Sequence, residues 1–258
     1  MALNHQGLDL VTGTIADKPA RLVGSADPVE LLARPPRYVS RGGEKLAAAL
    51  GRFAVDPSGR RVLDAGASTG GFTDCLLQAG ASTVYTVDVG RGQLHDRLRT
   101  DRRVIVSERT DIRDVTLATV GGVPVDLVTA DLSFISLRWA VPTLVGELAA
   151  RGAHVIVLVK PQFEAGRAEA SRGRGVIRDP KVHRRTLYEV ASALAASGAD
   201  IMGAMPSPIT GAAGNTEFFL HARAPVAAAG SRAEAVPAVP SALLDQALAA
   251  ATPSGSER

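Results

Sequence analysis

A single cysteine, Cys75, leaves no possibility of a disulfide framework within the chain, and its place in a predicted helix reads as a packed thiol, not a nucleophile. No apolar run approaches the roughly 18 residues of a membrane span. The first residues also lack the basic-then-apolar order of a secretion signal. A soluble, cytoplasmic protein without membrane contact is expected. The five histidines are scattered, with none of the paired spacings a metal requires, so no metal site is expected. The most informative shortage is lysine. Of 29 basic residues, 25 are arginine and only Lys18, Lys45, Lys160 and Lys181 are lysine.

What is present is enough for a core. At 258 residues with 46% hydrophobic content the chain can hold one large α/β domain and a small appendage. A net charge of +3 with clustered arginines is compatible with a polyanionic partner. Residues 1–36 are polar and proline-containing, with a hairpin pattern at Leu8–Lys18. Residues 38–53 read as a helix entered after Gly43, with Leu46, Leu50 and Phe53 at helical spacing. Past Pro225 the chain turns Ala/Pro/Ser-rich and reads as a mobile tail with one amphipathic helix at Ser241–Ala250.

The segment Leu63-Asp-Ala-Gly-Ala-Ser-Thr-Gly-Gly-Phe72 places an acid and a glycine-rich turn between an apolar strand and a helix. A dinucleotide fingerprint wants glycine where Ser68 stands, and a phosphate P-loop would end in Gly-Lys-Ser/Thr. Both phosphate readings weaken. The turn fits better a nucleoside-bearing cofactor with no phosphate to neutralise, and S-adenosylmethionine, a sulfonium, is the candidate. Asp64, Gly66, Ala67, Ser68, Thr69, Gly70, Gly71 and Phe72 are its cofactor-binding residues. Gly66-Ala-Ser-Thr-Gly70 also matches the nucleophile elbow of hydrolases, but His183 and His221 have no acidic partner in the expected order.

Acids recur at strand ends. Ser82–Asp88 ends in Asp88, about 20 residues past the first turn, where a ribose-binding carboxylate belongs. Arg103–Ser107 is followed by Glu108 and by Asp111, placed near the adenine, and Val125–Ala130 is followed by Asp131. Ligands in open parallel sheets bind at the carboxyl ends of strands. With the buried strand His154–Lys160, the helix Lys181–Ala196 and strands at Asp200–Met205 and Glu217–Ala224, the pattern predicts a Rossmann-like α/β fold. It has a mostly parallel seven-stranded sheet and an antiparallel edge.

Lys160 closes an apolar strand at the ligand edge, directly before Pro161. Arginine does not lose its proton in a protein, whereas a lysine that is desolvated or beside another positive charge can act as a base. In a chain that supplies cations almost everywhere as arginine, a lysine at that position points to proton transfer.

The segments Tyr38–Leu46, Leu63–Asp74, Val87–Leu94, Ala130–Ser136, Leu158–Glu164 and Gly214–Phe219 together resemble the TlyA-type hemolysin and ribosomal RNA 2'-O-methyltransferase family, within the FtsJ-type methyltransferases. The resemblance spans roughly residues 8–224. It implies methylation of a ribose hydroxyl, with cytidine in ribosomal RNA or ribosomal subunits as substrate. It also implies a Lys-Asp-Lys-Glu tetrad, here Lys45, Asp131, Lys160 and Glu217. Arg41, Arg172, Arg174 and Arg178 are then candidates for RNA phosphate contacts. The family's N-terminal RNA-binding module, of the ribosomal-protein S-four type, is represented by a hairpin-like remnant. The expected domains are 1–36 (remnant and linker), 37–224 (methyltransferase) and 225–258 (flexible tail). An RNA-binding relative without turnover would show a damaged tetrad or cofactor turn, and neither is seen. A membrane-active role, carried only by the family's hemolysin name, lacks any spanning or strongly amphipathic basic segment.

Overall fold

The computed structural model describes residues 36–166, 173–226 and 236–251, with Glu169, Ser171 and three short N-terminal strands. Those strands, β1 (Asp9–Val11), β2 (Thr14–Ala16) and β3 (Val29–Leu31), form an antiparallel sheet in the order β2-β1-β3. The hairpin lies where its alternating pattern puts it, with Asp9 opposite Ala16.

The main sheet has seven strands: β4 (Arg61–Ala65), β5 (Thr83–Asp88), β6 (Val104–Glu108), β7 (Val125–Ala130), β8 (Ala149–Val159), β9 (Asp200–Pro206) and β10 (Phe218–Arg223). Their order is β6-β5-β4-β7-β8-β10-β9. Strands β6 to β8 pair in parallel, and β10 runs antiparallel to both neighbours, giving the sheet its antiparallel edge. The alternation is clearest at Phe218 and Phe219, both fully buried but on opposite faces. One face packs on α1 (Arg41–Phe53) and α2 (Gly71–Gln78). The other packs on α4 (Leu137–Val141) with its π-helical continuation to Leu148, on α6 (Pro180–Ala196) and on α7 (Ser241–Ala251). Two short helices, α3 (Asp96–Arg99) and α5 (Pro161–Glu164), sit at the carboxyl ends of β5 and β8.

Several features differ from the sequence reading. Helix α1 starts at Arg41, ahead of Gly43, which lies inside the helix at a point where a Cβ would come within 2.3 Å of the Tyr38 ring. This glycine serves close approach, not helix entry. Strand β8 begins at Ala149, five residues before His154. The stretch at 241–251 is also no mobile tail: Leu244 is fully buried and Asp245 accepts from Tyr188 Oη at 3.0 Å and pairs with Arg184. Leu244 and Ala247, one turn apart on the inward side of α7, let it cover the sheet beside β9, which composition alone could not reveal.

Candidate active site

Parallel strands deliver their carboxyl ends to one edge, and there β4 turns into α2 through Gly66–Gly70. Gly66 has φ +84°, and a Cβ on it would lie 2.6 Å from the carbonyl oxygen of Asp131. Only glycine lets these two strand ends approach so closely. Gly66 N donates to Val87 O at 2.8 Å, and Gly70 N to Ala67 O at 2.7 Å. Ser68, left-handed at φ +47°, donates its N–H to Asp88 Oδ2 at 2.8 Å, and Gly90 N donates to Asp88 Oδ1 at 2.6 Å. Asp88 is thus fixed between the two loops.

Two cavities open at this edge and share Gly66, Ser68, Asp131 and Ser133. The larger, about 1080 Å³, is lined by Asp88, Gln93, Asp111, Leu132, Trp139 and Gln162, among others. Its size, its glycine-floored entrance and a carboxylate at the end of β5 fit a nucleoside-bearing cofactor. Asp111 accepts hydrogen bonds from Arg113, which lower the pKa of its carboxyl to about 2. The smaller, about 310 Å³, gathers Lys45, Asp131, Lys160 and Glu217 with Arg41, Ala67, Ser68, Thr69, Gly71 and Phe72. Among the described residues, no histidine lines either cavity. Ser68 Oγ bonds Gln93 Oε1 at 3.3 Å, which leaves the hydrolase elbow without a base.

The four tetrad residues come from four elements. Lys45 on α1 meets Glu217, just before β10, at 2.6 Å, and both are buried. Lys160, following β8, meets Asp131, following β7, at 2.7 Å, and donates to Ser133 Oγ at 2.9 Å. The buried Lys45–Glu217 pair is costly to break, because the survivor keeps an uncompensated charge, whereas the Lys160–Asp131 pair is half-buried at the cleft.

Other predicted residues fall elsewhere. Asp64 faces the core and lines neither cavity. It is fully buried and accepts from Thr73 Oγ1 at 2.6 Å, and burial pushes its carboxyl up to about 7. A cofactor-contacting role for it is therefore not supported, since it is closed off beneath α2, where Thr73 holds it. Gly70 also lies beneath the turn, packed against Leu94 and Leu98. Arg41 reaches the smaller cavity, whereas Arg174 and Arg178 are exposed on the adjoining loop. Asn215 ties that loop to the Glu217 segment, accepting from Ile177 N at 2.9 Å and donating to Gly175 O at 2.8 Å. Arg172 lies outside the described residues. The sequence reading also passed over Ser133, Gln162 and Glu164. Each stands within a quoted segment, but their roles depend on partners far away in sequence. Burial raises the Glu164 carboxyl above its usual range even though Ser136 and Leu137 N donate to it.

A seven-stranded sheet of this order, with a cofactor cleft over β4 and β5, defines the class: a Rossmann-like methyltransferase of the S-adenosylmethionine-dependent kind. A sequence model of the FtsJ-like methyltransferase family matches residues 38–224. The chain belongs to that family, in its TlyA branch. The 16S/23S rRNA (cytidine-2'-O)-methyltransferase TlyA of Mycobacterium tuberculosis is 47% identical over 214 residues, 83% of this chain and 79% of that protein. Hemolysin A of Brachyspira hyodysenteriae is 38% identical, covering 83% of this chain and 88% of its own. Among solved structures, a hemolysin-named protein from Streptococcus thermophilus matches with TM-score 0.79 at 36% identity, covering 95% of this chain and 86% of that one.

Proposed function

We propose that this chain transfers a methyl group from S-adenosylmethionine to the ribose 2'-hydroxyl of a cytidine in ribosomal RNA. The observation that carries this reading is the gathering of Lys45, Asp131, Lys160 and Glu217 around one cleft that adjoins the cofactor cavity. The named function of the Mycobacterium tuberculosis relative supports the substrate.

S-adenosylmethionine, when bound, supplies an electrophilic methyl carried on sulfur. Asp88 would hold ribose hydroxyls of that cofactor, Asp111 its adenine end, and the backbone around Gly66–Gly71 the remainder. A 2'-hydroxyl is a poor nucleophile until its proton leaves, so the chain's task is to align it and take that proton. Lys160 is the base in this reading. Asp131 and Ser133 orient its side chain. Lys45 and Glu217, paired across the cleft, complete the hydrogen-bond set around the hydroxyl. Arg41, Arg174 and Arg178, with Arg172, meet phosphates on either side, so RNA binding weakens steeply with salt. Residues 1–36 contribute to RNA binding ahead of the methyltransferase domain at 37–224.

The test is tritium transfer from labelled S-adenosylmethionine to purified ribosomal subunits, followed by nuclease mapping of the alkali-resistant linkage. Label at a cytidine ribose supports the reading. Label on a base, or none on either subunit, defeats it.

A further inference from the structure

Helix α5 is a single turn that follows Lys160, and β8 leading into it lies between β7 and β10 in the sheet. Pro161 fixes the first φ of the turn. Phe163 N and Glu164 N then both donate to Lys160 O, at 2.9 and 3.2 Å. From this turn two side chains leave toward opposite neighbours. Gln162 Nε2 donates to Glu217 Oε1 at 3.3 Å, on the β10 side, and the other oxygen of Glu217 holds Lys45. A carboxylate only accepts, so this bond also sets which way the Gln162 amide points. Glu164, its side chain 2% exposed, reaches the β7 side. It accepts from Leu137 N at 2.7 Å and from Ser136 Oγ.

The segment that Glu164 anchors runs from Asp131 through Ser133, the two partners of Lys160, to the start of α4. It contains Phe134 at φ +66°, a left-handed backbone that a residue with a Cβ adopts only when its surroundings impose it. A strained segment needs a fixed far end, and the buried carboxylate supplies one. The turn after Lys160 is thereby joined to Asp131 on one side and to Glu217 and Lys45 on the other.

We infer that Gln162 and Glu164 are positioning residues, which hold the two ion pairs of the tetrad in register with each other for methyl transfer. The inference rests on the reading of the tetrad as the methyl-transfer site. Alignment of this kind is worth much in rate, since a displacement of about 1 Å can cost on the order of a hundredfold.

The test pairs kinetics with a measurement independent of turnover. Only four lysines are present, so lysine labelled with carbon-13 at Cε gives few signals to resolve. Gln162→Leu is expected to move the Lys45 signal and Glu164→Ala the Lys160 signal, each leaving that of Lys181 in place. In both variants kcat falls at least about tenfold while KM for RNA stays within about twofold, and in Glu164→Ala, a residue that lines neither cavity, KM for S-adenosylmethionine also stays within about twofold. Glu164→Gln, whose amide can still accept from Leu137 N and donate to Ser136 Oγ, is expected to restore most of kcat. Ser136→Ala removes one bond without disturbing the buried carboxyl, and it shifts the Lys160 signal in the same direction. Unmoved Lys45 and Lys160 signals, or kcat within twofold of wild type in both Gln162→Leu and Glu164→Ala, would overturn the inference. Should the wild-type chain transfer no methyl group to RNA, the functional reading fails, and the lysine signals still decide the positioning claim.

Discussion

Lys160 Nζ lies 2.7 Å from Asp131 Oδ1 and 2.9 Å from Ser133 Oγ, so one cation spans the ends of two adjacent parallel strands. Asp131 is at the same time the residue whose backbone forbids a side chain on Gly66. The cofactor turn and the proposed base therefore share a neighbour, and the two cavities meet there.

Replacing Lys160 by arginine keeps the charge but removes a group able to give up its proton. Turnover is expected to collapse while S-adenosylmethionine and RNA still bind. Lys181→Arg, at the exposed start of α6, serves as the silent control. Single-turnover rates on saturating RNA check this. A Lys160→Arg protein that keeps more than about a tenth of the wild-type rate, a barrier change under roughly 1.4 kcal/mol, would leave the tetrad a positioning device.

Asp88→Ala removes an acceptor from the cofactor cavity and also frees Ser68 N and Gly90 N. Binding of S-adenosylmethionine is expected to weaken by about 1–3 kcal/mol. Calorimetry with Asp88→Asn alongside separates the two effects, because one amide oxygen can still accept from a loop N–H. Unchanged affinity in both variants would remove Asp88 from the site.

A histidine pair under α1 predicts acid sensitivity. Arg223 can only donate, so it bonds the unprotonated Nε2 of His154, whose Nδ1–H then faces His221 Nε2 at 2.8 Å. Burial, reinforced for His154 by Arg223 and for His221 by His154, holds both imidazoles at about 4. The unfolded chain takes up these protons near pH 6.5, earlier than the folded one. Their contribution to stability is therefore lost as pH falls from about 6.5 toward 4. Asp64, raised to about 7 by burial, acts oppositely across the same window. The measurement is thus a difference: urea midpoints against pH for the wild type and for a His154→Gln, His221→Gln variant. A steeper acid decline is expected in the wild type, and identical slopes would show that the pair does not titrate this way.

Leu244 is fully buried beneath α7. Leu244→Ala is expected to destabilise the protein by about 2–5 kcal/mol, the usual range for a large cavity in a core. A denaturant midpoint within error of wild type would mean that α7 does not pack on the sheet in solution.

Much of the fold was legible because its strands are buried on both faces and bounded by turns. His154–Lys160 reads as a near-continuous apolar run, and acids follow the strands at the ligand edge. The helix at 241–251 was legible but its docking was not, since Ala-rich sequence packs or floats according to what lies beside it. Asp64 stands in the glycine-turn segment, but its partner is Thr73 of the covering helix α2, which spacing along the strand does not reveal.

The sequence by itself determined the order of strands and helices, the glycine turn, the strand-end acids and the two lysines kept where arginine is the rule. Those are local properties, written in residue type and spacing. The pairing of Lys45 with Glu217 across 172 residues, of Lys160 with Asp131, and of Glu164 with the segment after β7 was decided only by tertiary structure. Which carboxylate meets which cation depends on sheet order, with β10 inserted beside β8. Spacing along the chain carries no record of that insertion.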